Sequence, residues 1–141
     1  MNPDGAVTAS KQQRYFTPWQ ICAGALIAGP LGGGYFASRD FQLFGEPAKG
    51  RLTLLISFIL FAGVIALAVS LPSGGSGSVL AGAIAGMYRW LAAGAFNAKI
   101  SRRKLEGWAP YPWWLVVSIS VAILIGMLAC AFIASLLPGV Q

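Results

Sequence analysis

The chain has 141 residues, of which 57% are hydrophobic and only 10% are charged. Because a soluble domain carries about a quarter charged residues, this composition excludes a water-soluble globule and indicates an integral membrane protein of one domain. The net charge of +6 does not indicate nucleic-acid binding, since no basic stripe interleaved with aromatic residues lies on a soluble module.

Histidine is absent, and the two cysteines, Cys22 and Cys130, both fall inside apolar segments. The commonest metal ligand and the commonest general base are therefore missing, and a disulfide framework is not implied. The acidic residues all lie outside the predicted membrane segments: Asp4, Asp40, Glu46 and Glu106. We therefore predict no catalytic residues, no metal site and no cofactor.

Residues 1–17 are polar and have no periodic apolar face, which predicts a short disordered tail with Tyr15 and Phe16 touching the membrane surface. A cleaved signal peptide is the alternative, because Lys11 and Arg14 precede an apolar stretch. The length of the tail argues against that alternative.

The first apolar segment, 18–38, interrupts its own helical pattern with Pro30 and with the glycines at 29 and 32–34. We predict that it spans the membrane with a kink, which lets neighbouring helices approach closely. The alternative is a re-entrant segment that folds back at Gly29 and Pro30. That geometry would leave unpaired backbone at membrane depth unless protein covers it.

The second segment, 52–71, is the clearest spanning helix, since its uncharged length at 1.5 Å per residue reaches about 30 Å. The third, 79–98, is weaker, because it is rich in Ala and Gly and carries Arg89 near its middle. We predict that it spans within a bundle, because the face opposite its apolar stripe is not polar. A helix lying in the membrane surface is the alternative. The fourth segment, 113–137, is apolar throughout.

The sequence thus predicts an all-α fold, a polytopic transmembrane bundle of four helices, with a polar tail over 1–17 and a single membrane domain over 18–141. Most basic residues lie in two predicted loops, 39–51 and 99–112. The excess of positive charge on cytoplasmic loops makes both loops cytoplasmic and, with four spans, both termini external. A re-entrant first segment would bring the basic residues of the tail to the cytoplasmic side as well, and charge alone favours it. If the third segment does not span, the basic residues divide between the two sides.

Small residues at four-residue spacing predict where helices pack, because association in lipid depends on close approach. The predicted packing positions, with the proline of the kink, are Gly29, Pro30, Gly33, Gly82, Gly86 and Gly126. Packing inside one bundle and a seam between copies of the chain both fit. Arg89, the only charge in a predicted span, either extends to the membrane surface or forms a site for an anion or a lipid headgroup.

Three motifs occupy the first half of the chain: FTPWQI at 16–21, GPLGGGY at 29–35 and RDFQLFG at 39–45. They resemble a family of small, functionally uncharacterised bacterial integral membrane proteins, whose members look like YSPxQI, GGPLAGGY and NYRxLG at these points. The second half resembles that family in layout only. The resemblance implies a bacterial inner-membrane protein and carries over no functional residues.

We therefore expect a small multi-pass inner-membrane protein that is not an enzyme. It would act in the lipid bilayer through helix packing with a partner protein or with itself, as an accessory, assembly or immunity-type protein. The alternative is an oligomeric small transporter or channel, in which the lack of an intramembrane carboxylate argues against proton coupling. An enzyme acting on lipid would need a buried carboxylate pair or a nucleophile and base, which the sequence does not supply.

Overall fold

The structure, a computed structural model, describes residues 13–70 and 76–136. Within these ranges it has four helices: α1 (Pro18–Leu43), α2 (Pro47–Ser70), α3 (Ser76–Leu105) and α4 (Trp113–Leu136). Two short strands, β1 (Arg14–Tyr15) and β2 (Ala109–Pro110), pair in parallel. The predicted all-α bundle of four helices is confirmed. Among the described residues, α1, α2 and α4 are long and apolar enough to cross a membrane.

The predicted tail over 1–12, the link at 71–75 and residues 137–141 lie outside the described residues. Helix α2 begins earlier than predicted, at Pro47. A proline is tolerated in the first turn of a helix because the N–H it lacks would have no partner there. Helix α3 continues to Leu105, so that half of the predicted loop over 99–112 is helical.

Helix α1 is broken in its middle. Ala28 (φ −112°, ψ 18°) and Gly29 (φ 61°, ψ −156°) leave the helical region, and the second of these conformations is accessible almost only to glycine. Pro30 follows and has no N–H to leave unpaired. Ala28 and Pro30 are both buried, so the break is covered by protein.

The two halves of α1 fold back on each other. A Cβ atom placed on Gly32 would collide with the carbonyl oxygen of Gly24, although eight residues of straight helix would separate them by about 12 Å. Further from the break, the backbone N–H of Phe16 donates a hydrogen bond of 2.9 Å to the carboxylate of Asp40. Helix α1 is therefore a helical hairpin. We call the end with Gly29 its tip and the end with Asp40 its mouth.

The structure differs from the kinked straight-through helix predicted for the first segment, and the geometry of α1 is that of the re-entrant alternative. Although α1 as a whole is long enough to cross, its longer half, 30–43, extends about 20 Å at 1.5 Å per residue. The hydrocarbon core of a bilayer is about 30 Å thick. The objection of unpaired backbone loses force, because only two residues leave helical geometry and one of them, Ala28, is buried.

The hairpin is the centre of the bundle, because α2, α3 and α4 each pack against it far more than against one another. The face of α3 that meets the hairpin consists of buried residues three or four positions apart: Ala85, Tyr88, Ala92 and Phe96. That spacing is the signature of one buried helix face. The hydrophobic core of the described chain therefore lies between the hairpin and its neighbours.

Helices α2 and α3 run antiparallel. The hydroxyl groups of Ser57 and Tyr88 lie 2.5 Å apart, and Glu46, just before α2, accepts a hydrogen bond from Lys99. These two contacts are equally spaced along both helices, so α3 follows α2 back to the mouth end.

The N-terminal segment, residues 13–17, also lies at the mouth. Tyr15 and Phe16 are buried, with 1% and 4% of their surface exposed, so the predicted disordered tail is wrong for these residues. Strand β1 pairs with β2, which follows α3. The predicted topology put the N-terminal segment and the loop over 99–112 on opposite sides of the membrane, whereas in the structure the two segments pair with each other.

Candidate functional site

The mouth of the hairpin holds a fully buried carboxylate, that of Asp40. Its Oδ1 atom accepts the hydrogen bond from Phe16, whereas Oδ2 is buried with no hydrogen-bond partner among the described residues. Asp40, which the sequence analysis assigned to a loop, belongs to α1, because the helix continues past the predicted end at residue 38. A buried carboxylate without full pairing is costly, so this is the least expected group in the bundle.

We call residues 13–17 the strap, since they close the mouth over Asp40. The strap ends in a capping box. The Thr17 hydroxyl accepts from the backbone N–H of Gln20, and the side-chain Oε1 of Gln20 accepts from the backbone N–H of Thr17. The side-chain amide of Gln20 then donates a 2.6 Å hydrogen bond to the backbone carbonyl of Tyr111. The start of α1 is thereby tied to the segment that leads into α4.

The aromatic residues of the mouth complete the strap. The Phe16 ring lies 4.8 Å from that of Phe36 and is stacked 4.4 Å from that of Tyr111. Burial, and after it the charge of Asp40, raises the pKa of Tyr15 above its ordinary value. The two buried residues of the strap, Tyr15 and Phe16, therefore cover the hairpin with uncharged aromatic rings.

Outside the buried mouth, acidic and basic residues pair at its rim. Glu46 accepts hydrogen bonds from Lys99 and from Lys49, and these bonds lower the pKa of Glu46. Arg103 pairs with Glu106 at 2.7 Å. The bond between Lys99 and Glu46 joins the connection between α1 and α2 to α3, and the other two pairs are local. Exposed pairs of this kind add little to stability.

Gly33, a predicted packing position, lies where the hairpin packs closely against α3. A Cβ atom there would lie 2.8 Å from the Cβ of Ala25 and 2.9 Å from the Tyr88 ring. The next residue, Gly34, faces the Ser57 side chain so closely that a Cβ would overlap it. The sequence analysis missed the pair of Ser57 and Tyr88 hydroxyls, because the residues lie on different helices and carry no local motif.

The other predicted packing glycines, Gly82, Gly86 and Gly126, are exposed, and a Cβ atom on any of them would meet nothing within 4 Å. Gly29 also has open space around it, and its role is the positive φ of the break. Packing inside one bundle therefore does not account for the glycines of α3 and α4.

Arg89 lies on the outer surface of α3. Its guanidinium carbon is 3.9 Å from the centroid of the Trp19 ring, which is the geometry of a cation–π contact. It forms no ion pair with an acidic residue within 13–70 or 76–136. Since Trp19 begins the hairpin, the side chain of Arg89 extends towards the mouth.

No group of three or more His, Cys, Asp or Glu residues that could hold a metal ion occurs in the part of the chain that the structure describes. Asp40 has neither a second carboxylate nor a nucleophile among its hydrogen-bond partners. The contacts at the mouth hold helices together. No family model matches the chain, and no curated protein or solved structure matches it.

Proposed function

We propose that this chain is a non-enzymatic, multi-pass protein of the bacterial inner membrane, and that it acts by packing against a partner membrane protein or a second copy of itself. The observation that carries the proposal is the open face of α3, which comprises Gly82, Gly86, Trp90 and Gly94. All four residues are exposed, Trp90 to 77%. A Cβ atom on any of the three glycines would meet nothing within 4 Å.

The composition of α3 explains why protein, and not lipid, suits this face. Helix α3 runs alongside α2 towards the mouth, yet it is not among the helices apolar enough to cross a membrane by themselves. Small residues let two helix backbones approach closely, and this is the main source of helix association in lipid. A large aromatic side chain among such residues is typical of an interaction surface.

The packing of the hairpin argues against a channel built on its glycines. A Cβ atom on Gly24 would collide with the Phe36 ring. The space beside Gly32, Gly33 and Gly34 is likewise occupied by neighbouring atoms. These glycines serve close contact, and they leave no open path between the two halves of α1. Helix packing therefore remains the better supported of the two functions predicted from the sequence.

For the topology, we propose that α2, α3 and α4 cross the membrane and that α1 enters it from the cytoplasmic side. Apart from Arg89, the described basic residues belong to segments at the mouth end: Arg14, Arg39, Lys49, Arg51, Lys99, Arg102, Arg103 and Lys104. The sequence has no charged residue over 52–88 or over 107–141. The excess of positive charge on cytoplasmic segments therefore favours a cytoplasmic mouth.

Cysteine labelling in intact cells tests this topology. With Cys22 and Cys130 replaced by alanine, the Ser76→Cys variant should react with an impermeant maleimide from outside. The Gln13→Cys and Ser101→Cys variants should react only after the cells are opened. Reaction of Gln13→Cys from outside, with Ser101→Cys protected, would instead mean four plain spans and no hairpin.

Photo-crosslinking in native membranes tests the open face of α3. A photoreactive amino acid at position 86 should yield a protein adduct of defined mass, and one at position 63 should yield none. Gly63 is the matched control, because it is equally open but lies on α2. The adduct mass separates a second copy from another protein.

A bulky substitution on the open face of α3 should weaken the association with the partner. Gly86→Leu should weaken the association about tenfold or more, since a tenfold change needs only about 1.4 kcal/mol. Gly63→Leu should leave it unchanged, and Gly126→Leu reports whether α4 belongs to the same surface. If position 86 gives no adduct, or if Gly86→Leu associates as the wild type does, the proposed function is wrong.

A further inference from the structure

An open groove runs along the outside of the bundle between the second half of α1, α2 and α4. It has a volume of about 450 Å³ and is lined by Leu31, Tyr35, Arg51, Leu54, Leu55, Phe58 and Ile123. This volume lies in the range of small-molecule sites. With the exception of Arg51 and the hydroxyl group of Tyr35, the lining is hydrocarbon or aromatic ring.

The groove has a charged end and an apolar end. On α2, Arg51, Leu54, Leu55 and Phe58 occupy one helix face, because they are spaced by three, four and seven residues. Arg51 lies nearest the mouth, and Phe58 lies about 10 Å deeper at 1.5 Å per residue. The groove therefore has the cationic Arg51 at its shallow end and apolar side chains at its deeper end, and it is open on the outside of the bundle.

The guanidinium group of Arg51 is available for a ligand. It forms no ion pair with an acidic residue in the described part of the chain, and no acidic residue lines the groove. Its neighbour in sequence, Lys49, is by contrast paired with Glu46. A guanidinium binds phosphate oxygens in pairs, and it keeps its charge at any physiological pH.

From this arrangement we propose that the groove is a binding site for one anionic phospholipid. The phosphate group binds to Arg51, and an acyl chain lies along Leu54, Leu55 and Phe58 towards Leu31. The charge decides between the possible occupants, because a spanning helix of a partner is apolar along its length and offers no anion at this depth. Basic pockets between membrane helices at the cytoplasmic face are known to hold anionic headgroups. The site is independent of the open face of α3.

Native mass spectrometry of the detergent-solubilised protein tests the proposal. Phosphatidylglycerol and phosphatidylcholine with identical acyl chains are titrated separately, and the fraction of lipid-bound protein is measured. The wild type should retain phosphatidylglycerol about fivefold more than phosphatidylcholine, as expected for one basic residue beside an anionic lipid. Arg51→Gln should abolish that preference. Lys104→Gln removes an exposed charge from the end of α3 and should preserve it.

A second pair of variants tests the acyl-chain part of the groove. Leu55→Trp fills the groove and should lower the retention of both lipids. Leu52→Trp is the matched control, since Leu52 and Leu55 are exposed to 55% and 59% on the same helix and Leu52 does not line the groove. Both side chains are at the surface, so both variants should fold.

Three results would overturn the proposal. Equal retention of the two lipids by the wild type would mean that the groove takes bulk lipid without recognising charge. Unchanged retention of phosphatidylglycerol by Arg51→Gln would remove the phosphate contact. Unchanged retention of both lipids by Leu55→Trp would mean that no acyl chain lies in the groove.

Discussion

Replacing Gly32 by alanine should keep the hairpin from closing and cost roughly 3 kcal/mol of folding stability or more, at the upper end of what overpacking costs. The new methyl group would collide with the carbonyl oxygen of Gly24 and lie 2.8 Å from the Cβ of Ala28. The first of these obstacles is a backbone atom of the opposite half of α1. It can move away only if the two halves separate.

Thermal unfolding in detergent, followed by tryptophan fluorescence, measures this effect. Gly63→Ala is the control, because it makes the same chemical change in α2 where nothing lies within 4 Å. In a helix the change from glycine to alanine is by itself favourable by about 1 kcal/mol, so the control should be slightly stabilised. Equal unfolding temperatures for the Gly32→Ala and Gly63→Ala variants would mean that the halves of α1 do not pack against each other.

The second large effect is expected at Asp40, where two substitutions should differ in their effect on folding stability. Asp40→Leu leaves the buried N–H of Phe16 without its acceptor and should cost about 1–3 kcal/mol. Asp40→Asn keeps an acceptor oxygen for that N–H in a side chain of the same size, so it should cost much less than Asp40→Leu.

Hydrogen exchange of the strap residues reports the same difference more directly. The amide of Phe16 should exchange faster in Asp40→Leu than in the wild type, and in Asp40→Asn it should remain protected. If Asp40→Asn loosens the strap as much as Asp40→Leu does, the negative charge itself holds the mouth, and a hydrogen bond to an oxygen atom is not enough.

The sequence predicts the helices well because their signals are local. The apolar stretches locate all four helices, and Pro18 and Trp113 begin helices as predicted. Thr17 and Gln20 form the capping box at the three-residue spacing that such boxes require. Helix ends are less well predicted, since α2 begins earlier, at Pro47, and α3 continues to Leu105.

The fold of the hairpin depends on contacts that no local pattern contains. The charge distribution favours a re-entrant first segment, yet composition alone cannot say that Gly24 fits against Gly32. The burial of Asp40 has the same origin, since its hydrogen-bond partner Phe16 lies 24 residues earlier. A polar tail and an acidic residue in a loop are the natural predictions when this contact is unknown.

The small-residue pattern illustrates a further limit. Gly33 and Gly86 occur in similar series, and only the structure distinguishes them. The space beside Gly33 is occupied by Ala25 and Tyr88, whereas the space beside Gly86 is open. Spacing indicates that a helix face can be approached closely, and it does not indicate which surface approaches it.

The strap also sets an order of events during synthesis. Its partners at the mouth are distant in sequence, because Gln20 bonds to a carbonyl 91 residues later and β1 pairs with β2. The hairpin is therefore made early in translation, but it is joined to the segment that leads into α4 only after the ribosome has passed Tyr111. Since contacts between distant residues form late and slowly, a nascent chain carries α1, α2 and α3 for a time before these last contacts can form.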